Sequence, residues 1–328
     1  MVDRERTPLL TERGRLSDPC WAVDDIFVYN KENMRPALRR REWESYQLFN
    51  EHFALGVYYG HGPGGGRAGA TLVDFDTEER ITAGKRKLFC GDSYDLDFSC
   101  GEPHTLKFED KGVYLSIGYD GSARRVSVRT ERIDARLDIP DAGEAMVTAC
   151  PYARRTGFLY QYKKVFPAFS GHVRMNKLAY PLSEGTVLAL SSGRGVLPYL
   201  NSSIWAVGGQ RTECGYLALN LGEDYGPDGA PTENALFVDG VMDKLGKVSF
   251  KFRQENLMKP WRIADGRGRL HLEFTPEFDN YERTNLLAVD IRRHQFFGKL
   301  SGSVKLADGR VIGIDGARFL IERIDERR

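Results

Sequence analysis

The chain has 328 residues, 41% hydrophobic and 28% charged, which is enough for a sizeable core and excludes a disordered chain. Lys plus Arg (47) nearly balances Asp plus Glu (46), for a net charge of +1, so no global field gathers nucleic acid or an anionic membrane surface. No stretch reaches the ~18–20 apolar residues of a membrane helix, and Met1 to Arg15 lacks the apolar run of a signal peptide; the expectation is a cytoplasmic protein with no integral membrane association and no nucleic-acid partner.

In chain order, Glu32 to Phe53 is a long segment without glycine, yet Pro36 interrupts it and its apolar spacing is irregular, so helix is weakly supported even here. Gly60 to Gly66 formally contains G-x-G-x-x-G. Pro63 lies inside it, and Thr71-Leu-Val-Asp-Phe75 after it reads as a strand. A dinucleotide loop must open a helix, so the segment is read as a hairpin loop. Thr105 to Phe108 and Val113 to Tyr119 flank Glu-Asp-Lys-Gly and predict a hairpin. Cys150-Pro151-Tyr152 and Val165-Phe166-Pro167 disturb the strand pattern and suggest a boundary, giving units at 1–165 and 166–328. Beyond it, Lys247 to Phe252 and Arg269 to Phe274 alternate strictly, as strands with one wet face do. Asp-Gly pairs begin at 120, 239, 265, 308 and 315; Asp-Gly suits tight hairpins, where φ is positive. Closely spaced hairpins with little helix define an all-β fold of antiparallel barrels or sandwiches.

Several chemistries lack their motifs. There is no G-x-x-x-x-G-K-[ST] and no G-x-S-x-G, which sets aside P-loop and ordinary α/β-hydrolase chemistry. Five cysteines include no C-x-x-C pair, and six histidines include no H-x-x-x-H pair, so neither disulfide framework, metal nor other cofactor is expected. His271 and Glu273 share one strand face and are read as an exposed pair.

The densest grouping of aromatic and functional polar residues runs from Gly193 to Trp261. In Tyr216 to Gly222, Leu217, Leu219 and Leu221 share one face while Tyr216 and Asn220 share the other, so one side can pack and the other can line a cavity. Ligand pockets are mainly apolar with a few placed polar groups. Arg194, Tyr199, Trp205, Asn220, Asn234 and Trp261 are therefore candidate ligand-binding residues, and Glu233 and Glu213 candidate catalytic acids. The competing reading is structural: Glu233 and Asn234 bond a turn backbone and Arg194 neutralises a buried carboxylate.

Arg41-Glu-Trp-Glu-Ser-Tyr46 with Asn50, Arg194-Gly195 with Pro198-Tyr199, Leu219-Asn-Leu-Gly222, Thr232-Glu-Asn-Ala-Leu-Phe-Val-Asp-Gly240, Pro260-Trp261 and Gln295-Phe-Phe-Gly298 resemble the bacterial DUF2804 family. That family is similar to the two-domain, lipocalin-like proteins called AttH-like, which include carotenoid 1,2-hydratases, and more distantly to tocopherol cyclase and calycin-like pericyclases. The resemblance implies two tandem lipocalin-like β-barrel or β-sandwich units with few short helices and a ligand cavity in or between them. The chain departs from the family's Leu-Asp-Trp-Gly-Arg-Gly, having Leu190-Ser191-Ser192-Gly193-Arg194-Gly195.

Three functions fit. The first is a cofactor-independent enzyme that hydrates, cyclises or isomerises a small, largely apolar or amphipathic molecule, with Glu233 or Glu213 as proton donor and Trp205, Trp261 or Tyr199 facing a developing cation. A buried Glu has a raised pKa, which suits a general acid. The second is a non-catalytic carrier of a lipophilic ligand. The third is a carbohydrate-active enzyme using paired carboxylates.

Overall fold

A computed structural model describes residues 6–63, 65–87, 93–152, 156–223, 226–286 and 289–327. Among them there is no α-helix, only two short 3₁₀ turns at Lys31–Asn33 and Ala37–Arg39; the all-β expectation holds. No helix is long and apolar enough to cross a membrane.

The first half is a sandwich. Its larger sheet has eight strands, in the order Trp21–Ala22, Met146–Pro151, Phe158–Phe166, Val187–Val196, Arg40–Phe49, Phe53–Gly62, Gly65–Asp74 and Arg80–Lys87. A six-stranded sheet, from His104–Asp110 to Leu178–Tyr180, covers one face. The alternation that makes these strands also builds the core: Phe53, Leu55 and Val57 face Leu115, Ile117, Val126 and Val128 in one buried cluster. The glycine-rich segment is a hairpin turn joining Phe53–Gly62 to Gly65–Asp74, with Gly62 paired to Gly65; Gly64 lies outside the described residues.

From Leu200 onward the chain forms a single ten-stranded sheet. It curls round its own core, where Leu217, Leu219 and Leu221 meet Phe250, Trp261, Phe274 and Phe319. The change of sheet falls between Val196 and Leu200 and not at 165/166, because Phe158–Phe166 pairs along its length with Val187–Val196. Cys150 and Pro151 simply end one strand of the same sheet. Asp239-Gly240 adopts the positive φ angles (48° and 80°) of a tight hairpin. Asp315-Gly316 does not turn the chain; it sits within the Val311–Arg327 strand opposite a register shift, with Gly316 at φ 66°, as a bulge requires.

The eight- and ten-stranded sheets lie face to face. Phe49, Ala54, Val165, Val187 and Ala189 of one pack against Val207, Tyr216, Phe237, Phe297 and Leu320 of the other. Phe49 and Phe297 meet edge to face at 5.5 Å, a contact that adds about 0.5–1.5 kcal/mol to their burial. This closed seam fixes the floor of the cleft described next.

Candidate functional site

On the Arg40–Phe49 strand, even-numbered residues point into the first sandwich and odd-numbered ones toward the second half. Beside the apolar seam, the odd positions Arg41, Trp43, Ser45 and Gln47 are polar or aromatic, and the two sheets enclose a cavity of about 250 Å³. Gln161, Lys163 and Ser191 continue its first wall. Ser203, Trp205, Ile291, Glu322 and Ile324 form the second.

One corner of this cleft carries an unusual group. Lys163 is fully buried in the middle of its strand; its Nζ donates to Ser191 Oγ at 2.9 Å, lies 4.0 Å from the centre of the Trp205 ring and 3.7 Å from Glu233 Oε2. Burial pushes the Lys163 ammonium below its ordinary pKa, outweighing the opposing charges of Glu233 and Glu322. Trp43 Nε1 also donates to Ser191 Oγ, at 3.2 Å. Two glycines make room for the group. A Cβ on Gly193 would stand 2.3 Å from the Trp43 ring, and one on Gly222 would stand 2.1 Å from Glu233 Oε1.

The asparagines hold this corner in place. Asn220 accepts from Trp205 Nε1 at 2.8 Å and donates to Glu233 O at 2.8 Å. Asn234 accepts from Gly222 N at 2.6 Å and donates to Gly246 O at 3.1 Å. They are positioning residues for Trp205 and Glu233 rather than ligand contacts.

Farther along, Arg41 and Glu326 form a buried ion pair across the cleft, and Asn201 donates to the same carboxylate at 3.3 Å. Glu322 accepts from Arg293 Nε at 2.7 Å and from Gln295 at 3.1 Å. Arg67, Arg80 and Arg293 also gather round Glu282, so that three arginines face the two carboxylates of Glu282 and Glu322.

The remaining candidates lie elsewhere. Arg194 points into the first sandwich, because it shares strand parity with Leu188 and Leu190. Its guanidinium bonds Gly193 O at 2.9 Å, Trp43 O and Ser192 Oγ at 3.1 Å and Phe98 O at 3.3 Å. Trp261 is buried in the second core, stacked on Phe252 at 4.0 Å and donating to Leu257 O at 2.8 Å. Tyr199 is exposed in the connection between the halves, and Glu213 is exposed in the turn between Leu200–Thr212 and Gly215–Gly222. Neither can serve the cleft. His271 and Glu273 are exposed on their strand, as expected.

Arg194 belongs to a second buried polar group, at one end of the first sandwich. Burial acts to raise the Glu42 pKa, but hydrogen bonds from His61 and Tyr29 and the charges of Arg194 and Arg40 bring it down to about 2. Burial is likewise overcome at Glu44 by His104, at 3.1 Å, and by Arg124 and Arg194, which hold it at about 2. Among the described residues, Glu42, His61 and Asp95 bring ligand atoms within 4.8 Å of one another. Arg40 reaches Asp95 at 2.7 Å and donates to His61 at 3.2 Å, and Lys31 reaches Asp95 at 2.7 Å; these protein cations occupy the place a divalent ion would take. Cys100 and Cys214 are free thiols; Cys90 lies outside the described residues.

A sandwich and a curled sheet joined face to face, with a polar cleft beside their apolar seam, define an all-β fold of two lipocalin-like units. Within it, the chain belongs to the family described as Domain of unknown function (DUF2804), whose model matches residues 2–327. Comparison with curated proteins finds no match. Among solved structures, CghA with Sch210972 is similar at a TM-score of 0.55 and 8% identity, over 97% of both chains. Kievitone hydratase from Nectria haematococca is similar at 0.53 and 12%, over 90% of this chain and 91% of that one. An AttH candidate from Nitrosomonas europaea is similar at 0.52 and 12%, over 89% and 95%. At these identities the likeness is one of fold.

Proposed function

We propose that the protein is a cofactor-independent enzyme that takes a small, largely apolar molecule with a polar or anionic end into the cleft and hydrates, cyclises or isomerises it. The observation that carries this reading is the buried corner of Lys163, Ser191, Trp43 and Trp205 on the cleft wall, with Glu233 behind it at 3.7 Å from Lys163 Nζ. Glu233 donates the proton, Lys163 exchanges it, and the indole faces of Trp43 and Trp205 stabilise the developing cation. Ile291, Ile324 and Leu197 supply apolar wall, and the arginines around Glu282 supply a counter-charge for the ligand's polar end. Kievitone hydratase, a fold relative, is by name a hydratase, which is in keeping with water addition.

A carrier would need the apolar walls but not a buried lysine beside a carboxylate. Glycoside hydrolysis needs two carboxyl groups available as acid and nucleophile or base, whereas Glu326 and Glu322 are engaged by Arg41 and Arg293.

The test is incubation with conjugated polyenes and phenolic alkenes followed by mass spectrometry. A product heavier by one water, or of unchanged mass and new retention, is expected, with turnover falling at least ~10²-fold in Glu233→Gln and unchanged in Glu213→Gln. Ligand that co-purifies unaltered, or full turnover in Glu233→Gln, would overturn the reading.

A further inference from the structure

We infer that Lys163 is a nucleophilic amine that captures an aldehyde or ketone carried on an apolar body, forming an imine in the cleft; the inference rests on the proposed ligand-binding role of that cleft. Its neighbour Lys164 shows what an ordinary buried lysine looks like here. Lys164 points to the other side of the sheet and has a close ion pair and a carbonyl acceptor, Asp141 Oδ1 at 2.7 Å and Gly143 O at 2.8 Å. Lys163 instead has a hydroxyl at 2.9 Å and, among the described residues, no carboxylate nearer than 3.7 Å. The charged groups facing it are Glu233, from the turn before Ala235–Val238, and Glu322, from Val311–Arg327. Burial prevails over both, so the neutral amine is populated closer to neutrality than on an exposed lysine.

Ser191 suits the neutral form. Its oxygen already accepts from Trp43 Nε1, leaving the hydroxyl hydrogen to point at the Nζ lone pair once the ammonium proton is lost. A carboxylate at this position would hold the ammonium instead.

The chemistry balances within the site. The amine lone pair forms a C–N bond at the carbonyl carbon while the C=O π pair moves to oxygen, which takes a proton from the new ammonium nitrogen. That oxygen leaves as water with a proton from Glu233, giving an iminium ion. When the carbonyl is conjugated to an alkene, the iminium withdraws electrons from it and water adds at the β carbon, giving up a proton to the Glu233 carboxylate; the α carbon of the resulting enamine then takes that proton, which restores the iminium. Water adding to the iminium carbon then releases the carbonyl product and restores the amine.

The test uses the full chain with cinnamaldehyde and sodium cyanoborohydride at neutral pH, followed by digestion and mass mapping. One dominant adduct is expected on Lys163, with the mass of the aldehyde less one oxygen, ahead of exposed lysines such as Lys111 and Lys177. Lys163→Arg removes it. Ser191→Asp, which keeps the lysine but adds a carboxylate, slows it by about tenfold for each unit of pKa restored. Cinnamyl alcohol, which lacks the carbonyl, is followed in parallel by tryptophan fluorescence in the native protein and in Trp205→Phe. If the alcohol quenches through Trp205 while no adduct forms on Lys163, or adducts follow exposure alone, the imine is overturned and the cleft reading stands. If neither compound engages the cleft, both are overturned.

Discussion

The two faces of the eight-stranded sheet bury charge in opposite ways. Inward, Glu42 and Glu44 are surrounded by Tyr29, His61, His104, Arg40, Arg124 and Arg194, and their pKa values fall to about 2; the charges are fixed and the network is architectural. Outward, in the cleft, burial lowers the pKa of Lys163 despite Glu233 and Glu322, so its charge is weakly held. A buried ion with many opposite partners shapes a fold, whereas one with few is available for chemistry.

The largest effect expected from breaking this contrast is on the inner face. Glu44→Ala leaves His104 without its carboxylate and the buried Arg124 with Asp141 alone, and should cost about 3–5 kcal/mol in urea unfolding. Acid should act on the same network. Glu42 and Glu44 have folded pKa values depressed from 4.5 to about 2, so their stabilisation is complete above pH 4.5 and is lost as pH falls toward 2. A melting temperature that stays level over that window would contradict the assignment. On the outer face, Gly222→Ala and Gly193→Ala push a methyl group into Glu233 and Trp43; about 1–3 kcal/mol of stability should be lost, together with turnover. The double change Lys163→Met with Glu233→Leu removes both charges at once, and should leave stability nearly unchanged or higher while abolishing turnover. The smallest effect is at Glu213→Gln in its exposed turn, within about 0.5 kcal/mol of the parent.

Strand alternation and Asp-Gly turns are local signals, so the β architecture is legible from sequence. The dense segment also points to Glu233 and Trp205, which the fold brings beside Lys163, whereas Asn220 and Asn234, read there as ligand contacts, bond Trp205 and the backbone instead. Lys163 is hidden, since Tyr162-Lys163-Lys164 reads as an ordinary charged pair until the sheet places one lysine in the cleft and the other by Asp141. Arg41 and Glu326 meet only when the first and last parts of the chain come together, which no spacing reveals. Arg194 and Trp261 are misread as ligand contacts for lack of one check. Counting parity from Leu188 and Leu190 puts Arg194 inside the first sandwich, and the alternation that buries Ile263 puts Trp261 inside the second core. The proposed ligand site lies between the two units, where neither unit's pattern alone could show it.

The most direct measurement is a crystal structure with 4-bromocinnamyl alcohol, located by the anomalous signal of bromine. The account expects one peak in the cleft between Trp43 and Trp205, within reach of Lys163. A peak inside either core, or ligand bound with the cleft empty, would contradict it.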